Sequence, residues 1–178
     1  MTPGIKIGTA ISAIAFGLIC ATSALAQTSI QSLPNGNYRF CSNPPPDAVV
    51  NDIEILAAGH CFLFRKSGDR VTGYLWDMST SGEISTCTVG TVNGNVITGE
   101  AYEYFFDNTE ITPEPKYQGT VPQNWDDYGY LKLAGATARY THGVVTETTI
   151  KYSTAILDIS DFYRYNAGTE APPTSCRK

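Results

Sequence analysis

The sequence predicts an all-β protein, an antiparallel meander of seven to nine strands that forms a small barrel or sandwich. Three observations favour this fold class. Apolar and polar residues alternate with a period of two in successive short stretches, as in strands with one buried face. β-branched and aromatic residues are frequent in these stretches, and glycine-containing turns separate them. Closing such a sheet would remove the exposed strand edges that promote aggregation.

The individual strands follow from this alternation and from the turns between them. A turn at Ser67-Gly68-Asp69 and another at Asn93-Gly94 each predict a hairpin. Asn-Gly favours a type I′ turn, because both central residues of that turn need positive φ. Strands are predicted at residues 38–41, 61–65, 71–76, 86–92, 96–104, 128–133, 136–142, 148–159 and 162–165.

Three segments depart from the strand pattern. Residues 47–58 predict one short helix that ends at Gly59, although residues 53–56 could instead form a strand. Residues 107–127 hold three of the ten prolines and several acids, and they predict a long acidic loop. Residues 168–178 predict a tail, which is ordered only if its cysteine forms a disulfide.

The first residues of the chain predict a signal peptide over positions 1–26. Lys6 gives a basic start, residues 7–19 are apolar, and residues 24–26 read Ala-Leu-Ala, a small-x-small cleavage site. An uncleaved membrane anchor is the alternative, but a spanning helix needs roughly twenty apolar residues and this run is shorter. We expect residues 27–178 to form a single β domain in the periplasm or outside the cell, without membrane insertion.

The charge balance disfavours one large class of partners. The chain has seventeen acidic residues against twelve basic ones, and Lys6 is among the twelve. The basic residues are scattered singly, apart from the pairs Arg65-Lys66 and Arg177-Lys178. Nucleic acids and anionic membrane surfaces attract clustered basic side chains, so neither is an expected partner. Small cations, saccharides and basic proteins remain open as ligands.

The cysteines predict two disulfides. Cys20 leaves with the signal peptide, so four cysteines remain, an even number in an exported chain. No two of them stand two to four residues apart, which disfavours a structural zinc site. Three pairings are open. We prefer Cys41–Cys61, because these residues flank one loop between two neighbouring strands, and this choice leaves Cys87–Cys176 to hold the tail.

Several short stretches carry a resemblance to known proteins. They are Leu33-Pro34-Asn35-Gly36-Asn37-Tyr38, Phe62-Leu63-Phe64-Arg65-Lys66, Val71-Thr72-Gly73-Tyr74, Cys87-Thr88-Val89-Gly90 and Gly94-Asn95-Val96-Ile97-Thr98-Gly99. Over roughly residues 33–104, with a weaker likeness at 155–165, the chain resembles small exported cyanobacterial proteins of uncharacterised role. The resemblance implies a Sec-exported β domain, and it implies no activity, cofactor or active-site residue.

Neither histidine belongs to a recognisable catalytic motif. The chain has no Gly-x-Ser-x-Gly elbow and no His-Glu-x-x-His sequence. We therefore interpret His60 and His142 as surface or half-buried side chains, and we predict no catalytic residue, no metal site and no cofactor. A secreted hydrolase that uses a histidine or an acidic cluster is the alternative.

An acidic band is the other local feature that could carry chemistry. Its members are Glu100, Glu103, Asp107, Glu110, Glu114, Asp126 and Asp127. Calcium binding or a glycosidase acid pair would need such carboxylates, but the spacing matches no calcium loop, so a solvated loop is preferred. Strand alternation turns Glu103 away from the face shared by Glu100 and Tyr102. Glu103 is therefore either a buried acid that needs a partner or the sign of a β-bulge.

Aromatic residues supply the candidate ligand-binding positions. Exposed rings beside carboxylates suit a saccharide, which stacks on an apolar face and donates hydroxyl hydrogen bonds. The competing interpretation is that these rings line the core or decorate strands. The candidates are Tyr74, Trp76, Tyr102, Tyr104, Trp125, Tyr128 and Tyr130.

These observations together predict an exported, non-catalytic binding or envelope-associated module. The expected ligand is an apolar small molecule in a barrel mouth or a saccharide on the aromatic face. Two alternatives to this module are open. One is the secreted hydrolase, and the other is a structural or interaction protein whose partner is another envelope protein.

Overall fold

The computed structural model describes residues 28–45, 58–77, 85–107, 115–141 and 146–177. It confirms the all-β class, because the regular structure in these residues is nine antiparallel strands and one short 3-10 helix at Ile30–Ser32. All but the last residue of the helix expected at 47–58 lies outside the described residues. In the described part of the chain, no helix has the length and apolar character needed to cross a membrane.

The nine strands belong to a single sheet. They are β1 Gly36–Cys41, β2 His60–Ser67, β3 Arg70–Asp77, β4 Ser85–Asn93, β5 Val96–Asp107, β6 Gln123–Asn124, β7 Leu131–Thr141, β8 Thr146–Asp158 and β9 Tyr163–Tyr165. Their order across the sheet is β6-β7-β8-β5-β4-β3-β2-β1-β9. The predicted meander holds from β1 to β5. It ends there because β8 pairs with both β5 and β7, and β9 pairs with β1 at the far edge.

The second half of the chain departs from the predicted strands. The two strands expected at 128–133 and 136–142 are one strand, β7, and Gly135 within it has a positive φ of 67° without shifting the pairing register. Residues 128–130 lie in a turn before this strand. Part of the predicted acidic loop is regular as well, because Gln123–Asn124 pairs with β7 as strand β6.

The sheet curves so strongly that its two ends approach each other. β8 and β9 are six strand spacings apart in the sheet order, which would be roughly 29 Å in a flat sheet. The link from Asp158 to Tyr163 can span at most about 18 Å. The His60 ring on β2 also lies 5.4 Å from the Tyr130 ring, just before β7. Among the described residues β6 and β9 are not hydrogen-bonded to each other, so the sheet does not close into a barrel, which was one of the two architectures that we expected.

The concave face of the curved sheet holds the main core. Strand alternation directs large apolar side chains from both halves of the chain onto this face, and each fully buried one contributes about 1.5–3 kcal/mol. Five of the fully buried side chains are aromatic, so rings fill much of the interior. The largest buried core residues include Phe40, Phe62, Phe64, Leu75, Ile97, Leu131, Leu133, Tyr152, Leu157 and Phe162.

The β4–β5 turn differs from the predicted one. Asn93 pairs with Val96, so the two central residues are Gly94 and Asn95 rather than Asn93 and Gly94. Only Gly94 has positive φ, at 63°, which is the pattern of a type II′ turn. The N-terminal segment selects this arrangement, because the Asn95 Oδ1 accepts a hydrogen bond of 2.8 Å from the Ile30 N–H.

We predict that Gly94→Ala destabilises the fold by about 1 kcal/mol, because a residue with a Cβ is strained in the left-handed region. A Cβ at Gly94 meets no atom within 4 Å, so the effect isolates backbone strain. Gly119→Ala is the matched control, since Gly119 also has open space but does not need positive φ. Urea unfolding would measure both variants. Equal stability of the two would show that the turn is assigned wrongly.

Candidate functional site

Two disulfides hold the sheet, and they have the pairing that the sequence analysis preferred. Cys41 and Cys61 are directly opposite each other on β1 and β2, with their Cα atoms 4.1 Å apart. Cys87 on β4 is bonded to Cys176, with a Cα–Cα distance of 5.5 Å. The second bridge orders the C-terminal tail, as expected, and lays it on the convex face of the sheet.

The seven candidate ligand-binding aromatics do not form one surface. Tyr74 and Trp76 on β3 and Tyr102 and Tyr104 on β5 share the convex face, as their alternation predicts. We call these four residues the outer aromatic patch. Trp125 lies instead against the concave core. The remaining two, Tyr128 and Tyr130, lie at the seam where the ends of the sheet approach each other.

The C-terminal tail covers part of the outer aromatic patch. The Tyr104 hydroxyl donates a hydrogen bond to the Cys176 carbonyl, and the Arg177 Nε donates to the Tyr102 hydroxyl at 3.0 Å. Tyr102 is consequently buried. Tyr74 and Trp76 remain half-buried, with ring centroids 5.6 Å apart. Tyr104 is half-buried as well, so the patch offers three partly exposed rings to a ligand rather than four.

Glu100 anchors a group of charges beside this patch. Its carboxylate lies 2.7 Å from the Lys151 Nζ and 3.0 Å from the Arg177 Nη2, and it accepts a 2.7 Å hydrogen bond from the Tyr102 hydroxyl. The bond from Lys151, then that from Tyr102, lowers the pKa of Glu100 from 4.5 to about 2. Burial opposes this shift only in part. Glu100 therefore links the tail to the sheet as an ionised group.

Glu103 lies further along β5, where its side chain points to the opposite face and is buried in the core. The Trp125 indole N–H donates a hydrogen bond to its Oε1 at 2.5 Å. The Tyr152 hydroxyl donates to its Oε2, and the Thr86 hydroxyl donates to Oε1 at 3.4 Å. We call these four residues the Glu103 cluster. Of the two sequence-based alternatives for Glu103, the buried acid with partners is confirmed. The β-bulge is not at Glu103, because the β5–β8 register shifts earlier, between Gly99 and Ala101.

Burial and negative charge keep the hydroxyls around Glu103 protonated. Burial, followed by the charge of Glu103, raises the pKa of Tyr152 far above its usual value. The same two causes, with a smaller effect of Asp126, raise the pKa of Tyr117. The Tyr117 ring lies 6.2 Å from the Tyr152 ring. Tyr117 also has a positive φ of 61°, an uncommon conformation for a non-glycine residue.

An exposed stack of rings occupies the seam between β7 and β2. The Tyr128 and Tyr130 rings are stacked 5.7 Å apart with an interplanar angle of 16°, and Tyr130 packs edge-on against Phe162 in the core. The buried His60 ring contacts Tyr128 edge-on at 5.2 Å. Tyr128 is nevertheless 73% exposed. We call Tyr128, Tyr130 and His60 the tyrosine platform.

Asp126 fixes the backbone that presents this platform. Its Oδ1 accepts hydrogen bonds from the backbone N–H groups of Tyr128 and Tyr130, at 2.9 and 3.1 Å. Its Oδ2 accepts a third from Leu131 at 2.8 Å. Asp126 therefore has a structural role that the sequence analysis missed when it placed this residue in an acidic band. An aspartate three residues before a glycine is typical of a local turn, so the spacing of Asp126 and Gly129 could have indicated this role.

The acidic band does not gather into one site. Glu100 and Glu103 lie on opposite faces of β5, so they cannot act as a pair on one ligand. Glu110 and Glu114 lie outside the described residues, as does His142. In the described ranges, no group of three or more His, Cys, Asp or Glu residues could hold a metal ion. His60 is buried, with its Nε2 3.8 Å from the Asp77 Oδ2.

Comparisons with known proteins do not add to this description. No protein-family model, no curated protein and no solved structure matches the chain. The function therefore has to be argued from the geometry of the outer aromatic patch, the Glu103 cluster and the tyrosine platform.

We predict that Glu100 makes stability dependent on pH in the acid range. Because its pKa is lowered in the folded chain, its contribution is complete above about pH 4.5 and is lost as the pH falls towards about 2. The difference in unfolding free energy between the wild type and Glu100→Gln should therefore shrink over that interval. Denaturant unfolding at several pH values measures it, with Glu147→Gln as the control, because Glu147 is an exposed carboxylate outside the ion pairs of the described residues. A difference independent of pH would contradict the role of Glu100.

Proposed function

We propose that this protein is an exported, non-catalytic binding module whose ligand is a saccharide that stacks on the tyrosine platform. The observation that carries the proposal is Tyr128, a flat ring that is 73% exposed and stacks on the Tyr130 ring. Large aromatic side chains are favoured at binding sites because they offer contact area with few rotatable bonds. An exposed ring of this kind therefore offers a stacking surface for a sugar.

The platform is organised before any ligand arrives. Three backbone hydrogen bonds to Asp126 fix the turn, and Tyr130 packs below Tyr128 on the core residue Phe162. Such preorganisation reduces the loss of conformational freedom on binding. Asp127, the exposed neighbour of Tyr128, provides a carboxylate that can accept hydrogen bonds from sugar hydroxyls.

The dense packing of the main core favours this surface over an apolar molecule enclosed among the core rings. Five fully buried aromatic rings occupy the concave face. The hydrolase alternative gains no support from the acids, because Glu100 and Glu103 lie on opposite faces. Export is supported by the predicted signal peptide and by the two disulfides, which form and persist in oxidising compartments.

Calorimetric titration of residues 27–178 with a panel of glucan and N-acetylglucosamine oligosaccharides tests the proposal. We predict saturable binding to at least one member, and a loss of at least about tenfold in affinity for Tyr128→Ala, because the stacking surface is removed. Tyr128→Phe, which keeps the ring, should retain most of the affinity.

Tyr163→Ala is the matched control, because Tyr163 is a 46% exposed tyrosine on β9, outside the platform. It should bind like the wild type. An equal loss in Tyr163→Ala and Tyr128→Ala, or no binding to any member of the panel, would refute the saccharide assignment.

A further inference from the structure

Glu103 carries a buried carboxylate whose hydrogen-bond partners are all neutral groups. They are the Trp125 indole, the Tyr152 hydroxyl and the Thr86 hydroxyl. Among the described residues no ion pair joins Glu103 to a basic side chain. A buried carboxylate is unfavourable unless a positive charge offsets it. We propose that the concave face binds an organic ammonium ion beside Glu103, at a site separate from the tyrosine platform.

Three aromatic side chains lie at or near Glu103, and this lining suits an ammonium ion better than a metal. Trp125 and Tyr152 contact the carboxylate directly, and the Tyr117 ring lies next to Tyr152. Ring faces attract an organic cation within about 6 Å of their centroids. A metal ion would need several oxygen, nitrogen or sulfur ligands, which the described residues do not gather here.

Two further rings mark the entrance to this site. Strand alternation from Glu103 places Phe105 on the concave face, and the register pairs it with Thr148, which in turn pairs with Tyr140. Phe105 is 39% and Tyr140 is 41% exposed, although they lie next to the core. Two strand spacings separate their Cα atoms by roughly 10 Å, so a cation between the rings can contact both. Thr148 lies between Phe105 and Tyr140 in the register and is buried. A ligand therefore reaches Glu103 only when these two rings move apart.

Thr88 supplies an independent indication that this region can accept a further polar group. It lies on the concave face of β4, two residues from Thr86, and the register sets it between Gly73 and Ala101. Its Oγ1 is buried and has no hydrogen-bond partner in the described part of the chain. Buried hydroxyls nearly always have a hydrogen-bond partner, and a ligand that carries a hydroxyl or an N–H would provide one for Thr88.

Choline and its uncharged isostere 3,3-dimethylbutan-1-ol provide the direct test. The two molecules have nearly the same shape and both carry a hydroxyl, so only charge separates them. In ¹H–¹⁵N spectra of the mature chain, we expect choline to shift the Trp125 indole resonance saturably and to leave Trp76 unchanged. The isostere should bind at least about tenfold more weakly. Equal binding of both molecules, or no response to choline at millimolar concentrations, would overturn the proposal.

Variants then locate the site. Glu103→Gln should weaken choline binding at least about tenfold, whereas Glu100→Gln, the matched change on the opposite face of β5, should leave it unchanged. If Glu103→Gln does not fold, Phe105→Ala and Tyr140→Ala serve instead, because both side chains are partly exposed. Each should weaken choline binding several-fold and leave oligosaccharide binding at Tyr128 unaltered. Choline binding that none of these variants reduces would exclude this site.

Discussion

The structure depends most on the burial of the Glu103 carboxylate and on the three groups that satisfy it. Thr86 comes from β4, Tyr152 comes from β8, and Trp125 comes from the segment that precedes β7. A buried carboxylate without donors would cost several kcal/mol, so these elements have to stay together. Trp125 is the important member, because it joins the segment before β7 to the concave face of the sheet. The position of the tyrosine platform, three residues further along the chain, follows from this contact.

The two glutamates of β5 show how strand alternation assigns different roles to one residue type. Glu100 faces outward, where Lys151 and Arg177 pair with it and the pKa falls to about 2. Glu103 faces inward, where neutral donors hold it. The outer glutamate and the Cys87–Cys176 bridge attach the C-terminal tail, and the inner glutamate attaches the segment before β7. Each of the two glutamates thus holds a segment that is distant from β5 in the sequence.

Sequence periodicity predicted most of the strands because each one has a buried face. It also predicted the opposite orientations of Glu100 and Glu103 and the face that Glu100 shares with Tyr102. It could not predict the order of the strands after β5 or whether the sheet closes, because both depend on contacts between distant strands. The Asn93-Gly94 turn was wrong by one residue, since the N-terminal segment binds Asn95. The sequence predicted Tyr128 to lie in a strand because of its strand propensity. The hydrogen bonds of Asp126 override that propensity.

A double-mutant cycle on Trp125 and Glu103 tests the central contact most directly. Trp125→Phe removes the indole donor and Glu103→Leu removes the acceptor, and the two single variants and the double variant are compared with the wild type in urea unfolding. A hydrogen bond to a charged group predicts a coupling free energy of about 1.5–3 kcal/mol between the two positions. A coupling free energy near zero would contradict the account, because Trp125 would then not hold the segment before β7 through Glu103.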